Sequence, residues 1–234
     1  IPNMESNLIL TIDIGTSSCK VCLFDYSGSM LAITKREYPT FSPLPTYAEQ
    51  EALSIYSAIV EAVKELLAIY PPSRITAVAC DTMLHSTLLV DRGGNPLLPL
   101  LNWMDTRCQN EVEELREEYH LKNVYFRNGV PIHTIYNLPR LRWFQKYCPD
   151  LLKLTWKVVT IKDWFLGKIT GEWICDYSTA SGTGLLFLTK MSWDEEIISL
   201  ARFSLDQLLP LCDPEHYSPL KEGSFTQETG LLPG

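Results

Sequence analysis

The ten residues from Thr11 to Lys20 read TIDIGTSSCK: an apolar strand, a carboxylate, a glycine, three hydroxyl side chains and a lysine. A simple turn needs one or two of these. A site for a negatively charged group and its metal ion uses most of them. Asp13 falls near the end of the apolar run, which places its carboxylate at a sheet edge facing a cleft. Gly15 lets backbone N–H groups approach a phosphate and tolerates positive φ. Thr16, Ser17 and Ser18 bring hydroxyls and successive N–H donors, the makings of an anion-binding nest. A carboxylate next to a phosphate repels it unless a cation lies between, and Mg²⁺ is the usual one. The pattern is neither a Walker A loop nor GxGxxG. A plain polar hairpin with glycine in its turn suits the same letters.

Other chemistry is sparse. Cys19 and Cys22 have C-x-x-C spacing but sit in a strand-like run, KVCLFD, where residues three apart face opposite sides. They read as core cysteines. The four histidines (85, 120, 133 and 216) make no HExxH pattern, so no dedicated zinc site is expected. Seven irregularly spaced cysteines suit a reducing cytoplasm better than a disulfide framework. The net charge of −8, with scattered basic residues, disfavours a nucleic-acid partner. The acidic run from Glu111 to Tyr119 reads as a solvated helix face. No apolar window of membrane-spanning length appears, and IPNMESN has no leader pattern. Residues 1–7 read as a tag remnant or a disordered start.

At 234 residues, 46% apolar and 21% charged, the chain has material for a sizeable core. The elements that must position the hairpin follow from periodicity. LILTID (Leu8 to Asp13) is nearly all apolar and reads as buried on both faces. KVCLFD and MLAITKREY follow as strands around a Tyr26–Ser29 turn. Apolar residues from Ala52 to Tyr70 recur at spacings of three and four, a helix stopped by Pro71-Pro72. ITAVACD (Ile75 to Asp81) reads as a second buried strand, and STLLVD with PLLPLLNW as a hairpin around Arg92–Asn95. Helices are expected over Asp105–Tyr119, Leu138–Lys146, Ile161–Gly167, Trp193–Phe203 and Leu205–Leu209. Asp176 suits a helix cap. Three strands, a helix and another strand imply a mixed sheet flanked by helices, an α/β fold in one domain.

Eight motifs then occur in order: DIGTSSCKVCLFD, AEQ, MLHSTLLVD, NWMDTR, GVPIH, LRWF, KDWFLGKITGEW and DYSTASGTGLL. The series resembles the N-terminal half of the FGGY family of carbohydrate kinases, from Leu8 to the last residue. That resemblance implies the ribonuclease-H-like fold of the actin, hexokinase and heat-shock ATPase superfamily, with ATP and Mg²⁺ as cofactors. It implies Asp13 at the metal, and Gly15, Thr16, Ser17 and Ser18 at phosphate, with Lys20 at a position often basic. His85 and Leu84, Trp103 and Asp105, and Glu49 and Gln50 match positions at the polyol. The general-base aspartate of the family follows a stretch like Thr229–Gly234, so the base and the ATP-binding domain are expected beyond Gly234.

The substrate implied is a small sugar or sugar acid. GVPIH, the Leu-x-Trp stretch and MLHS look more like gluconate kinases than xylulose or glycerol kinases. His133 and Arg140 are then candidate partners for a gluconate carboxylate. Xylulose or another pentulose remains the alternative. So does a sugar-binding module without catalysis, while W-x-D-x-R speaks against an actin-like filament protein or chaperone. Homo-oligomerisation is left open. The fragment alone is expected to be inactive.

Overall fold

The computed structural model describes residues 7–119 and 121–234, apart from the side chains of Leu121 and Lys122. Ile1–Ser6, most of the expected tag or disordered start, and His120 lie outside the described residues.

Three strands open the chain: β1 (Leu8–Ile14), β2 (Ser18–Asp25) and β3 (Met30–Glu37). After the short β4 (Glu49–Gln50), helix α1 (Ala52–Leu67) crosses to β5 (Ile75–Thr82). These strands make a four-stranded sheet in the order β3-β2-β1-β5, with β1 antiparallel to β2 and parallel to β5. The mixed sheet is the one read from the sequence. Its burial is not. Along β1, Leu8, Leu10, Ile12 and Ile14 are fully buried, while Ile9, Thr11 and Asp13 are only partly covered. β5 is largely exposed or half-exposed, not a buried strand. Its apolar residues fall at the outer margin of the sheet, where a groove of about 890 Å³ runs past Ala77, Ala79, Leu166 and Ile169. Apolar letters mark a strand, but they do not say which of its faces is covered.

The covered face packs on α1, whose Ile55, Ile59 and Val63 meet Leu10, Ile12, Val21 and Leu23. Each such side chain contributes roughly 1.5–3 kcal/mol by leaving water. Cys19 is in this core, but Cys22 faces the other way and is half-exposed, as strand alternation requires.

The middle of the chain builds a second core. β6 (Leu88–Val90) and β7 (Leu100–Leu101) alternate between the two: Leu88, Val90 and Leu100 enter the first, and Leu89 and Leu101 enter the second. The expected hairpin is loose. It is joined by bridges at Thr87↔Leu101 and Val90↔Pro96, while β6 pairs mainly with β8 (Lys157–Val159) and β7 with β4.

Helices α2 (Gln109–Glu118), α3 (Leu121–Asn128), α4 (Asn137–Tyr147) and α5 (Pro149–Leu154) surround the second core. Helix α2 starts four residues later than periodicity suggests, because Asp105–Arg107 are taken up by an ion-pair turn. Then come α6 (Ile161–Thr170), β9 (Cys175–Asp176) and α7 (Tyr177–Gly182), the last capped as expected by the Asp176 carboxylate. β10 (Leu186–Phe187) and β11 (Ser192–Trp193) form a small pair before α8 (Glu195–Leu200). The helix expected over Trp193–Phe203 thus begins later, and Leu205–Gln207 is a single 3₁₀ turn. β12 (Leu211–Cys212) and α9 (Ser224–Thr229) follow.

Helix α6 carries a full capping box. The Thr160 hydroxyl accepts from the Asp163 N–H at 3.3 Å, and the Asp163 carboxylate accepts from the Thr160 N–H at 2.9 Å. Burial pushes the Asp163 carboxyl up from 3.8 to about 6, against its hydrogen bonds to Thr160, which lower it. Since the folded value lies above the unfolded one, this contribution is full below pH 4 and is lost as pH rises through about 6. Asp163→Asn should flatten a decline on the order of 2–3 kcal/mol between those limits, read from urea midpoints against pH. Thr160→Ala should cost about 1 kcal/mol.

Candidate functional site

The β1–β2 turn is closed by the Gly15 N–H donating to the Ser18 carbonyl at 3.0 Å. Gly15 does not take positive φ, contrary to the sequence expectation. Glycine is needed there for space, since a Cβ would come within 3.0 Å of that same carbonyl oxygen. Three side chains hold the turn from outside. The Tyr38 hydroxyl donates to the Gly15 carbonyl at 2.6 Å, with burial pushing its phenol well up. Gln50 Nε2 donates to the Thr16 carbonyl at 2.8 Å, and the Trp103 indole N–H donates to the Thr16 hydroxyl at 3.0 Å. The N–H groups of Thr16 and Ser17 find no partner among the described residues, which leaves them for an anion. Ser17 is exposed and Thr16 half-exposed, but Ser18 is buried. The expected hydroxyl trio is therefore split, two facing solvent and one facing in.

Beside the turn, strand register sets three charges in a row on one sheet face: Lys20, Asp13 and Asp81. Lys20 Nζ lies 3.3 Å from Asp13 Oδ2, both side chains about half-exposed. Sequence reading missed Asp81 as Asp13's neighbour. The signal was there, since ITAVACD ends in aspartate as LILTID does. Asp13, with Asp81 beside it, could hold a cation such as Mg²⁺, which takes one or two carboxylates alongside phosphate and water. Among the described residues no group of three or more His, Cys, Asp or Glu gathers into a metal cage.

The second wall continues from β5. The Met83 N–H donates to the Ile14 carbonyl at 2.7 Å, which carries the chain past the end of β1 and into the turn at Leu84 and His85. His85 has φ of 60°, a left-handed backbone that costs a non-glycine residue free energy unless its surroundings enforce it. Its Nδ1 lies 2.8 Å from the Gly182 carbonyl, and its ring packs edge-on against Tyr136 at 5.1 Å. A carbonyl only accepts, so Nδ1 carries the proton and Nε2 of the neutral ring is left as an acceptor. Leu84 is 50% exposed and Trp103 46%, large apolar surfaces open to solvent. Thr87 and Leu101 exchange backbone hydrogen bonds, so the His85 and Trp103 turns leave this bridge side by side.

The remaining expected polyol contacts lie beneath the surface. Asp105 is fully buried, and its carboxylate accepts from Ala48 N–H at 2.8 Å and from Arg107 Nε and Nη2 at 2.9 and 2.7 Å. Arg107 also reaches Glu49 at 2.6 Å and lies 3.7 Å from the centre of the Tyr47 ring. Burial works against the Arg107 charge, but the hydrogen bonds to Asp105 and Glu49 outweigh it and raise the guanidinium. Gln50 is fully buried too. Asp105 and Gln50 are thus sealed against protein partners, while Glu49, paired with Arg107, stays half-buried. Arg140 is sealed likewise: it is fully buried, with its donors on protein carbonyls and a hydroxyl, so a gluconate carboxylate has no route to it. His133 is exposed.

With that geometry in place, known proteins can be set beside it. Residues 8–234 match the model of the FGGY family of carbohydrate kinases, N-terminal domain. The chain belongs to that family. This FGGY domain is 30% identical over 218 residues to a gluconokinase of Bacillus subtilis, covering 92% of the chain and 42% of that protein. A xylulose kinase of Staphylococcus xylosus is 28% identical, with 94% and 45% covered. Among solved structures, gluconate kinase from Lactobacillus acidophilus superposes with a TM-score of 0.91 at 23% identity, over 97% of the domain and 46% of that chain. Ligand-bound xylulose kinase from the same organism gives 0.90 at 22%. The fold is that of these solved sugar kinases. The chain spans less than half the length of these relatives.

Removing one partner from a buried ion pair strands the other charge. Arg107→Leu in this FGGY domain should therefore cost about 3–5 kcal/mol in urea unfolding. The double variant Arg107→Leu/Asp105→Leu should recover part of that loss.

Proposed function

We propose that the parent of this domain transfers the γ-phosphoryl group of ATP to a hydroxyl of a small sugar or sugar acid, with gluconate the first choice and xylulose the second. One observation carries the reading. The Trp103 indole, half-exposed, is hydrogen-bonded to Thr16 of the β1–β2 hairpin, so a polyol wall at Trp103 would stand directly beside an anion turn. Trp103 and Leu84 would cover sugar carbons, and His85 Nε2 would accept from a sugar hydroxyl. The Thr16 and Ser17 N–H groups and Lys20 would bind nucleotide phosphate, with Asp13 holding Mg²⁺. Bound there, Mg²⁺ neutralises charge on the phosphates. His133 is the remaining candidate for the gluconate carboxylate.

No aspartate of residues 8–234 takes the part of general base in this proposal. The base and the nucleotide-binding half come from elsewhere in the parent protein. Seven free cysteines, three of them buried in reduced form, agree with a cytoplasmic setting. Among the described residues no helix is long and apolar enough to cross a membrane.

Thermal-shift titration of the domain with gluconate, xylulose, ribulose and glycerol tests the groove. Gluconate should raise Tm, and Trp103→Ala or His85→Ala should each weaken that effect at least tenfold. A coupled assay of the parent with ATP and the same panel should respond most strongly to gluconate. Turnover of xylulose with none of gluconate overturns the substrate choice, and no Tm shift with any polyol sinks the groove itself.

A further inference from the structure

Arg140 lies on α4, outside every surface the polyol reading uses, yet its guanidinium touches most of the loops that build the groove. Nε donates to the Thr134 carbonyl at 2.9 Å and Nη1 to the His85 carbonyl at 2.7 Å. Nη1 also donates to the Thr87 hydroxyl at 3.0 Å, and Nη2 to the Asn102 carbonyl at 2.7 Å. The side chain is fully buried, no carboxylate among the described residues forms an ion pair with it, and burial pushes its pKa down from 12.5 to about 10, with Asp105 opposing that only from a distance. A cation sealed in without a directly paired carboxylate is costly, and general packing does not require one there. What the position needs is a planar fork that satisfies several carbonyls at fixed angles.

Those carbonyls belong to the two turns that matter. His85 is the residue with the strained left-handed backbone, and its carbonyl is pinned by Nη1. Asn102 immediately precedes Trp103. Its side-chain amide donates to Gln50 Oε1 at 3.4 Å, and Gln50 in turn donates to the Thr16 carbonyl at 2.8 Å. A continuous polar chain therefore runs from Arg140 through Asn102 and Gln50 to the anion turn. We propose that Arg140 is the positioning residue of the groove, a buried fork that sets the His85 and Trp103 turns at one spacing and ties both to the Thr16 hairpin. The proposal rests on the polyol reading for its consequence in binding, but not for the coupling of the loops.

Arg140→Lys keeps a charge but replaces the fork with a single ammonium, which cannot reach the His85 and Asn102 carbonyls in the same geometry. Arg142 serves as the control. It lies on the same helix, is nearly buried, and pairs with Glu118 and the Leu200 carbonyl away from the groove. The readouts are the indole ¹⁵N–H resonance of Trp103, assigned with Trp103→Phe, and gluconate affinity measured well below each variant's Tm. Arg140→Lys should move the Trp103 resonance and weaken gluconate binding at least tenfold, while Arg142→Lys leaves both unchanged. A folded Arg140→Lys with an unmoved Trp103 resonance overturns the proposal, as does an equal effect of Arg142→Lys. If Arg140→Lys does not fold, Thr87→Val removes one contact of the fork at nearly constant volume. It should displace the His85 ring resonances, and unchanged resonances count as refutation. A wild-type domain that binds no polyol, with the Trp103 resonance still moved by Arg140→Lys, sinks the kinase reading and leaves the positioning role standing.

Discussion

The parallel pairing of β1 with β5 governs where the chemistry can sit. Parallel neighbours end at the same edge of a sheet, and the chain must leave both strands there. With Ile14 opposite Thr82, the Gly15–Ser17 turn and the Leu84–His85 turn emerge next to one another. Helix α1 makes this possible by crossing over the covered face, where it packs on β2 and β3 and its Ile55, Ile59 and Val63 share one core with β1. Were β5 antiparallel to β1, its far end would meet the hairpin and His85 would lie a strand length away. The Met83 N–H to Ile14 carbonyl bond marks the last step of the shared register before the turns diverge.

Around that edge the domain divides polar work between surface and interior. Groups open to solvent number few: Thr16, Ser17, Lys20, Asp13, His85, Leu84 and Trp103. Beneath them sits a set of buried polar side chains, Gln50, Asn102, Asp105, Arg107, Thr87 and Arg140, nearly all satisfied by one another or by backbone. Burying two arginines and an aspartate yields little stability, since desolvation consumes most of the attraction. What it yields is geometry. Each buried group has few alternative partners, so the loops it bonds are held in one arrangement.

Much of this was legible in the sequence, and the misses have physical causes. Periodicity located β1, β2, β3, α1, β5, α4 and α6, because each has a continuous apolar pattern of one period. It failed for β4, β9 and β12, two-residue strands whose existence depends on a distant partner. The motifs with W-x-D-x-R and E-Q marked the neighbourhood of the site, yet sequence could not tell which of their residues face out. Trp103, Asp105 and Gln50 all matched polyol positions, yet Trp103 is half-exposed while Asp105 and Gln50 are sealed. Arg140 was noticed for its charge, and the charge was the misleading feature: the protein uses its five donors. Asp81 was overlooked because only register, not spacing, brings it beside Asp13.

The two halves of the groove differ in how far they are prepared. The polyol side is held by buried hydrogen bonds, so Trp103 and His85 keep their places before any ligand arrives. The phosphate side has an outward turn with Thr16 and Ser17, and an Asp13–Lys20 pair about half in water. Solvent screening makes such a pair weak, and the same screening blunts any pull on a phosphate. Charge stabilisation of phosphoryl transfer gains its strength where water is excluded. On the proposed reading, one side set and the other still wet suit the holding of a polyol better than the transfer of a phosphoryl group. Covering the hairpin is the task left to whatever closes over it.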